Sequence, residues 1–365
     1  MRLRGSYFRF FVLAATLLPL MVAFAMQIAP IVSVAPQFYS TSLSTALVIM
    51  GTLSASHVCS TAYLLFNPSE YEGIRSPLLV LIAIPGFLLV TTFAMLMAAP
   101  LWATMIFMLV YIHYGMWHFG RQNLGVLSFV SRISLNRPMQ PFERITIMAG
   151  VIAGMFAAYS LFAPALMLNQ KVFPFDLSEV NEPFSRLWYL GAVIMAGLVP
   201  TSLCYAYVKR TEFDSYTLVT YLAAVFFYLP IFVSRNPLYM LTVWTVAHGL
   251  QYIVFLGFHA VGKPRPLLSV AYLVTSVFAG FVIWRLCGRV QAAGDVDATK
   301  AAVATLSAIT LVHYWVDQFL WKFNTPARRA WLVRNYAFLA PGTPGEAVKK
   351  MSSSPTGRLS DASAR

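Results

Sequence analysis

The sequence predicts an all-α, polytopic membrane protein with about ten transmembrane helices and both termini in the cytoplasm. Three observations predict it. The 365 residues are 59% hydrophobic and only 11% charged, whereas soluble globular chains carry roughly 25% charged residues. The apolar residues fall in continuous runs of about 20, long enough to cross a hydrocarbon core of roughly 30 Å as helix. The runs do not alternate, so helices rather than barrel strands satisfy the backbone in lipid. Lastly, 20 of the 26 Lys and Arg residues fall on one side of the resulting topology, the bias that sets membrane orientation.

The runs are, in order, 8–26, 44–66, 77–98, 101–120, 144–166, 185–208, 215–234, 237–261, 266–287 and 299–322. The first follows Arg2 and Arg4 and is long enough to stay as a helix. Its Ala23-Phe24-Ala25 ending also suits a cleaved secretory signal. Arg75 separates the second and third runs on the cytoplasmic side, and Lys209 with Arg210 separates the sixth from the seventh. Lys263 and Arg265 follow the eighth, and Lys322 closes the tenth. Between the fourth and fifth, residues 121–143 form a basic, semi-amphipathic connection suited to lying along the interface. Residues 167–184 form a mildly acidic outer loop. Residues 1–340 read as a single transmembrane helical domain. Residues 341–365, rich in Ser, Pro, Gly and Ala, read as a disordered cytoplasmic tail.

The net charge of +13 follows the loops, so it expresses orientation and not nucleic-acid binding. Cys59, Cys204 and Cys287 form no CxxC pair, so neither a zinc ribbon nor a disulfide framework is implied. No GxxxxGK[ST], GxGxxG or HExxH motif occurs, so nucleotide-driven transport and zincin chemistry lack their residues.

The informative residues are the histidines. Ionisable groups inside a bilayer are expensive and mark pathways, ligand sites or catalytic centres. All six lie on even-numbered runs, which share one direction. His57, His113, His248 and His313 sit about 7–13 residues from the cytoplasmic boundary, roughly 10–20 Å deep. That shared depth points to a metal site, because neutral imidazole suits iron, zinc and copper and needs no balancing carboxylate. His118 and His259 fall near the boundary and read as hydrogen-bonding side chains between helices. Asp317 is the one acidic residue of 13 inside a run. It lies one turn after His313 and shares its face, as a ligand, an acceptor for an imidazole N–H, or a proton carrier. Arg121 reads as a snorkelling anchor rather than a substrate clamp. HYGMWHF at His113 and HYWVDQF at His313 share His, Tyr and Phe at the same offsets, a faint parallel repeat.

The segment IHYGMWHF around His113 resembles the IHFGM-type segment of the bacterial and archaeal membrane β-carotene dioxygenases, the Brp/Blh-like family. Two further stretches correspond more loosely: SHVCS around His57 to the family's early PHG, and AHGLQY at His248 to its late histidine pair. The resemblance implies a multi-span protein in which His57, His113, His248 and His313 hold iron. It also implies oxidative cleavage or modification of a lipophilic polyene or similar lipid.

The resulting expectation is a histidine-ligated non-haem metal oxygenase or oxidoreductase in a bacterial inner membrane. Iron is the expected metal, with zinc or haem as alternatives. Asp317 is the candidate catalytic residue, and a lipophilic small molecule reaches the site from the bilayer. An intramembrane zinc hydrolase, a haem electron-transfer protein and a His/Asp proton-coupled transporter are the competing readings.

Overall fold

Apolar runs without internal breakers become helices, and the computed structural model is helical in every regular element among the described residues. It describes residues 2–28, 54–64, 71–135, 137–167, 178–234, 237–292, 295–320 and 326–336, apart from Gly73 and Pro264. The expected disordered tail, 341–365, lies outside them. The helices are α1 (Arg2–Ile28), α2 (residues 54–64), α3 (a π-helical turn, Leu79–Ala83, running into Ile84–Ala98), α4 (Leu101–Leu135), α5 (Pro141–Met167) and α6 (Ser178–Val208). After these come α7 (Ser215–Val225), α8 (Pro230–Ser234), α9 (Pro237–Val261), α10 (Pro266–Ala292), α11 (Val296–Leu320) and α12 (Pro326–Asn335). Four stretches among them are long and apolar enough to cross a membrane: Leu79–Ala98, Pro141–Ser160, Arg186–Val208 and Pro266–Val290.

Two elements depart from the sequence reading. The residues expected to form an interfacial connection after position 120 instead continue α4 to Leu135. No proline interrupts RQNLGVLSFVSRISL, and Leu127, Phe129 and Val130 are buried. Val126, Phe129 and Val130, at i, i+3 and i+4, give the extension an apolar stripe. Phe129 and Val130 pack near Phe8 and Val12 of α1, Trp331 of α12 and Tyr336 just after it, whereas Leu127 joins the main core. The second departure is the run 215–234, which breaks after Val225 and restarts at Pro230. Pro230 has no N–H to continue the ladder. At the break, Tyr228 donates its hydroxyl to the carbonyl of Met116 on α4, and Gly154 of α5 leaves room for its ring.

The π turn of α3 has a legible cause. In an i→i+5 pattern the carbonyl of Val80 faces Pro85, which has no N–H to donate. The indole N–H of Trp315 on α11 fills the vacancy at 2.9 Å, as a backbone acceptor inside a bundle requires. At its other end, α3 presents its last carbonyls, Met97 and Ala99, to the Lys300 ammonium at 2.8 and 2.7 Å. α3 is thereby tied to α11 at both ends.

The bundle is apolar outside as well as inside. α10 exposes Leu267, Leu268, Val274, Phe278 and Leu286, and only 11% of its spanning window is buried. α5 is the opposite, half buried, and lies in the main core with Ile147, Val151 and Ala157 fully covered. Small residues set the closest approaches, as they do between helices in lipid. A Cβ at Gly280 of α10 would collide with the backbone of Ala55 and Ser56 on α2. That contact presses α10 against the helix carrying His57.

Candidate metal centre

Four helices meet in a layer of histidines. The ring of His57 lies 4.7 Å from that of His248 and 4.8 Å from that of His313, centroid to centroid. His118 completes the layer at 4.9 Å from His248 and 5.3 Å from His313. α2, α4, α9 and α11 each contribute one ring. The candidate ligand atoms of His57, His248 and His313 all lie within 4.8 Å of one another, as do those of His118, His313 and Asp317. A tetrahedral ion with bonds of about 2.0–2.1 Å needs ligand nitrogens about 3.4 Å apart. Side-chain shifts of the order of an ångström close the difference.

The hydrogen-bond inventory singles out the same rings. Among the described residues, neither ring nitrogen of His248 has a hydrogen-bond partner, and neither do Nε2 of His313 and Nε2 of His118. His248 and His313 are each 1% exposed, so water does not compensate. Leaving a buried polar group unbonded costs about 1–3 kcal/mol, and several in one place mark an unfilled role. A metal ion would suit that role, because it takes the imidazole lone pair that no protein donor meets.

One turn below the rings lies a second polar layer. Each of the four histidines has a hydrogen-bonding residue at i+4: Thr61 after His57, Gln122 after His118, Tyr252 after His248 and Asp317 after His313. Thr61 Oγ1 is 2.6 Å from His313 Nδ1 and 3.2 Å from the Tyr252 hydroxyl, and Tyr252 in turn reaches Asp317. If His313 Nδ1–H donates to Thr61, the chain of donors runs on through the Thr61 and Tyr252 hydroxyls to the Asp317 carboxylate. Nε2 then keeps its lone pair for the centre. The carboxylate stands 3.5 Å from His118 Nε2 and 3.8 Å from His313 Nε2. Gln122 donates to the carbonyl of His248 at 2.9 Å and to Gln251 at 2.8 Å. Gln251 donates to Thr16 of α1 at 2.7 Å. Such outer partners fix ring orientation and ligand basicity.

The structure brings His57, His248, His313 and Asp317 together and places His113 apart. The His113 ring stacks on Tyr159, with centroids 3.4 Å apart. Its Nδ1 faces the carbonyl of Leu109 at 2.6 Å and its Nε2 that of Met155 at 3.2 Å. Both nitrogens point at acceptors, so neither offers a lone pair to the centre. The reason is helical geometry: five residues turn about 140° around the axis, so His113 and His118 cannot share a face. His118, set aside in the sequence reading as a boundary residue, takes the central position. His259 lies in a separate aromatic cage with Trp331 and Tyr336, at centroid distances of 5.4 and 5.6 Å.

Two cavities flank the layer. One of about 280 Å³ touches His57 and is lined mainly by apolar residues such as Met108, Ile112, Leu241 and Leu306. The other, about 560 Å³, has His118, Tyr252 and Asp317 in its wall. On α4, α9 and α11 the first cavity draws mainly on residues before the histidines and the second on residues after them. The three helices therefore pass through the centre in one direction. Tyr314 lines both cavities. Compared with known proteins, the chain matches no family, no curated protein and no solved structure.

Proposed function

We propose that the chain is an integral membrane protein of ten transmembrane helices with cytoplasmic termini, seated in a bacterial inner membrane. Its function on this reading is that of a non-haem metal oxygenase or oxidoreductase acting on a lipophilic substrate. His57, His248 and His313 hold iron, with His118 and Asp317 beside them and further positions open. The observation that carries the reading is the convergence of buried imidazoles from separate helices, with both nitrogens of His248 unbonded. Imidazole and carboxylate ligands together suit iron with open positions. Bound iron supplies activation of dioxygen. The protein residues orient the rings, exclude bulk water and hold a proton at Asp317.

The surroundings favour a lipophilic substrate, because the smaller cavity reaches His57 through apolar walls and the outer surface is apolar. A porphyrin is disfavoured. Each ring of the layer meets two others at 4.7–5.3 Å, which converges nitrogens on one ion and leaves no slot for a flat macrocycle. Zinc hydrolysis is the second reading, favoured by Asp317 at 3.5 Å from His118, where it is placed to take a proton from a metal-bound water.

The test is metal analysis of detergent-purified protein with an absorption spectrum of the same sample. About one iron per chain without a Soret band is the expected result. Stoichiometric zinc selects the hydrolase, and a Soret band selects haem. Folded protein devoid of metal overturns the centre altogether.

A further inference from the structure

The larger cavity holds a feature that the metal centre does not use. Its wall carries two arginines, Arg121 on α4 and Arg144 on α5. Neither makes a side-chain ion pair or hydrogen bond among the described residues, whereas Arg9, Arg137 and Arg334 each pair with a carboxylate. Arg121 follows His118 by three residues, about 4.5 Å along the helix. Arg121 therefore sits just beyond the histidine layer, on the side toward the C-terminal ends of α4, α9 and α11, and Arg144 lines the same chamber. On the opposite side lies the apolar cavity beside His57. Along the direction of α4, α9 and α11 the order is apolar chamber, histidine layer, then the polar chamber with both arginines in its wall.

This polarity matches one kind of molecule. Resting on the reading of the centre as one that acts on a membrane-borne substrate, we propose that the substrate is an anionic amphiphile. Its carboxylate or phosphate head pairs with Arg121 and Arg144, and its alkyl chain runs beside the histidine layer past Tyr314, which lines both chambers, into the apolar cavity. Guanidinium is the side chain best matched to such heads, because its planar fork meets two oxygens at once. A lipid in a bilayer already stands this way, with head at the surface and chain toward the midplane. A neutral polyene has no group to pair with two arginines. The reacting carbon on this arrangement lies near the head rather than at the chain terminus, since Arg121 is only one turn from His118.

The experiment is equilibrium binding of three labelled probes to the full chain in neutral maltoside detergent: oleate, dodecyl phosphate and oleyl alcohol. Oleate or dodecyl phosphate is expected to bind at least about tenfold more tightly than oleyl alcohol. The double variant Arg121→Gln/Arg144→Gln removes that advantage, as loss of a charge-assisted pair implies, and leaves the alcohol within about twofold. The anion that binds more tightly identifies the head as carboxylate or phosphate. Leu306→Trp, which fills the apolar cavity, weakens all three probes together. Equal binding of the anions and the alcohol overturns the proposal, as does a double variant with unchanged anion affinity. Insensitivity to Leu306→Trp overturns the seat of the chain. If the protein holds no metal but binds the anions in this pattern, only the oxygenase reading fails.

Discussion

Thr61 Oγ1 lies 2.6 Å from Nδ1 of His313 across the α2–α11 interface, a short bond between two buried side chains. A hydroxyl accepting from Nδ1–H locks the tautomer that leaves Nε2 as the ligand atom. Thr61→Val keeps the shape and removes the acceptor. It is expected to lower metal affinity by roughly 10- to 100-fold while the protein still folds. Competition with a chromophoric chelator reads this directly, and a variant that keeps wild-type affinity removes Thr61 from the centre.

His113 and His118 offer the sharpest contrast, being on one helix and five residues apart. His118→Ala is expected to deplete or loosen the metal, since its ring touches His248 and His313. His113→Ala is expected to retain full metal and to lose stability, by about 1–3 kcal/mol, through the unpaired carbonyls and the lost stack on Tyr159. Metal content and thermal midpoint measured side by side separate the two roles. Metal loss in His113→Ala with metal retention in His118→Ala would reverse the assignment.

The all-helical class and the meeting of His57, His248, His313 and Asp317 were legible in the sequence, because apolar runs make the rare ionisable residue stand out. Histidines at a shared depth on runs of one direction are a stronger signal than any one of them alone, and His57, His248, His313 and Asp317 meet as neighbours. Depth misled at His118. Its distance from the helix end was judged from a boundary at 120, whereas α4 runs to Leu135. An apolar stripe too weak for a hydropathy reading, Val126 with Phe129 and Val130, carries that extension. A usable signal was present all the same. His118 has Gln122 one turn on, as His57 has Thr61, His248 has Tyr252 and His313 has Asp317. His113 has Trp117, which cannot accept a proton. The pairing of α3 with Trp315 through the Pro85 vacancy depends on a tertiary contact and could not be read from local sequence.

Gly280 tests how backbone contact supports the centre. Gly280→Ala drives a methyl group into the backbone of Ala55 and Ser56, immediately before His57. Backbone cannot rotate away, so α10 must separate from α2 at a cost of about 1–3 kcal/mol. Lower metal occupancy is expected to accompany the lower melting midpoint. Gly197→Ala on α6, which has nothing within 4 Å of its new Cβ, is expected to be neutral or to stabilise by up to about 1 kcal/mol. Equal behaviour of the two variants would discount the α2–α10 contact.

The α4–α5 connection is held by an ion pair whose two halves are not equivalent. Glu143 is fully buried and Arg137 partly open to solvent, with side-chain exposures of 0% and 19%. Arg137 reaches both carboxylate oxygens, at 2.7 and 3.3 Å. Glu143 also accepts from the backbone N–H of Gln140, three residues earlier at the start of α5, which is half of a capping box. Arg137→Ala strands a buried anion, and breaking a buried pair in this way costs about 3–5 kcal/mol. Glu143→Ala frees a cation that can turn to water, so its cost is the lost cap, about 1 kcal/mol, plus the lost pair. The arginine variant is therefore expected to be the less stable of the two. It is also expected to recover in part when Glu143→Gln is added, since the neutral amide needs no counter-charge. Denaturation of the three proteins in detergent decides it: an Arg137→Ala protein as stable as Glu143→Ala means that the carboxylate finds water or another cation once Arg137 is gone.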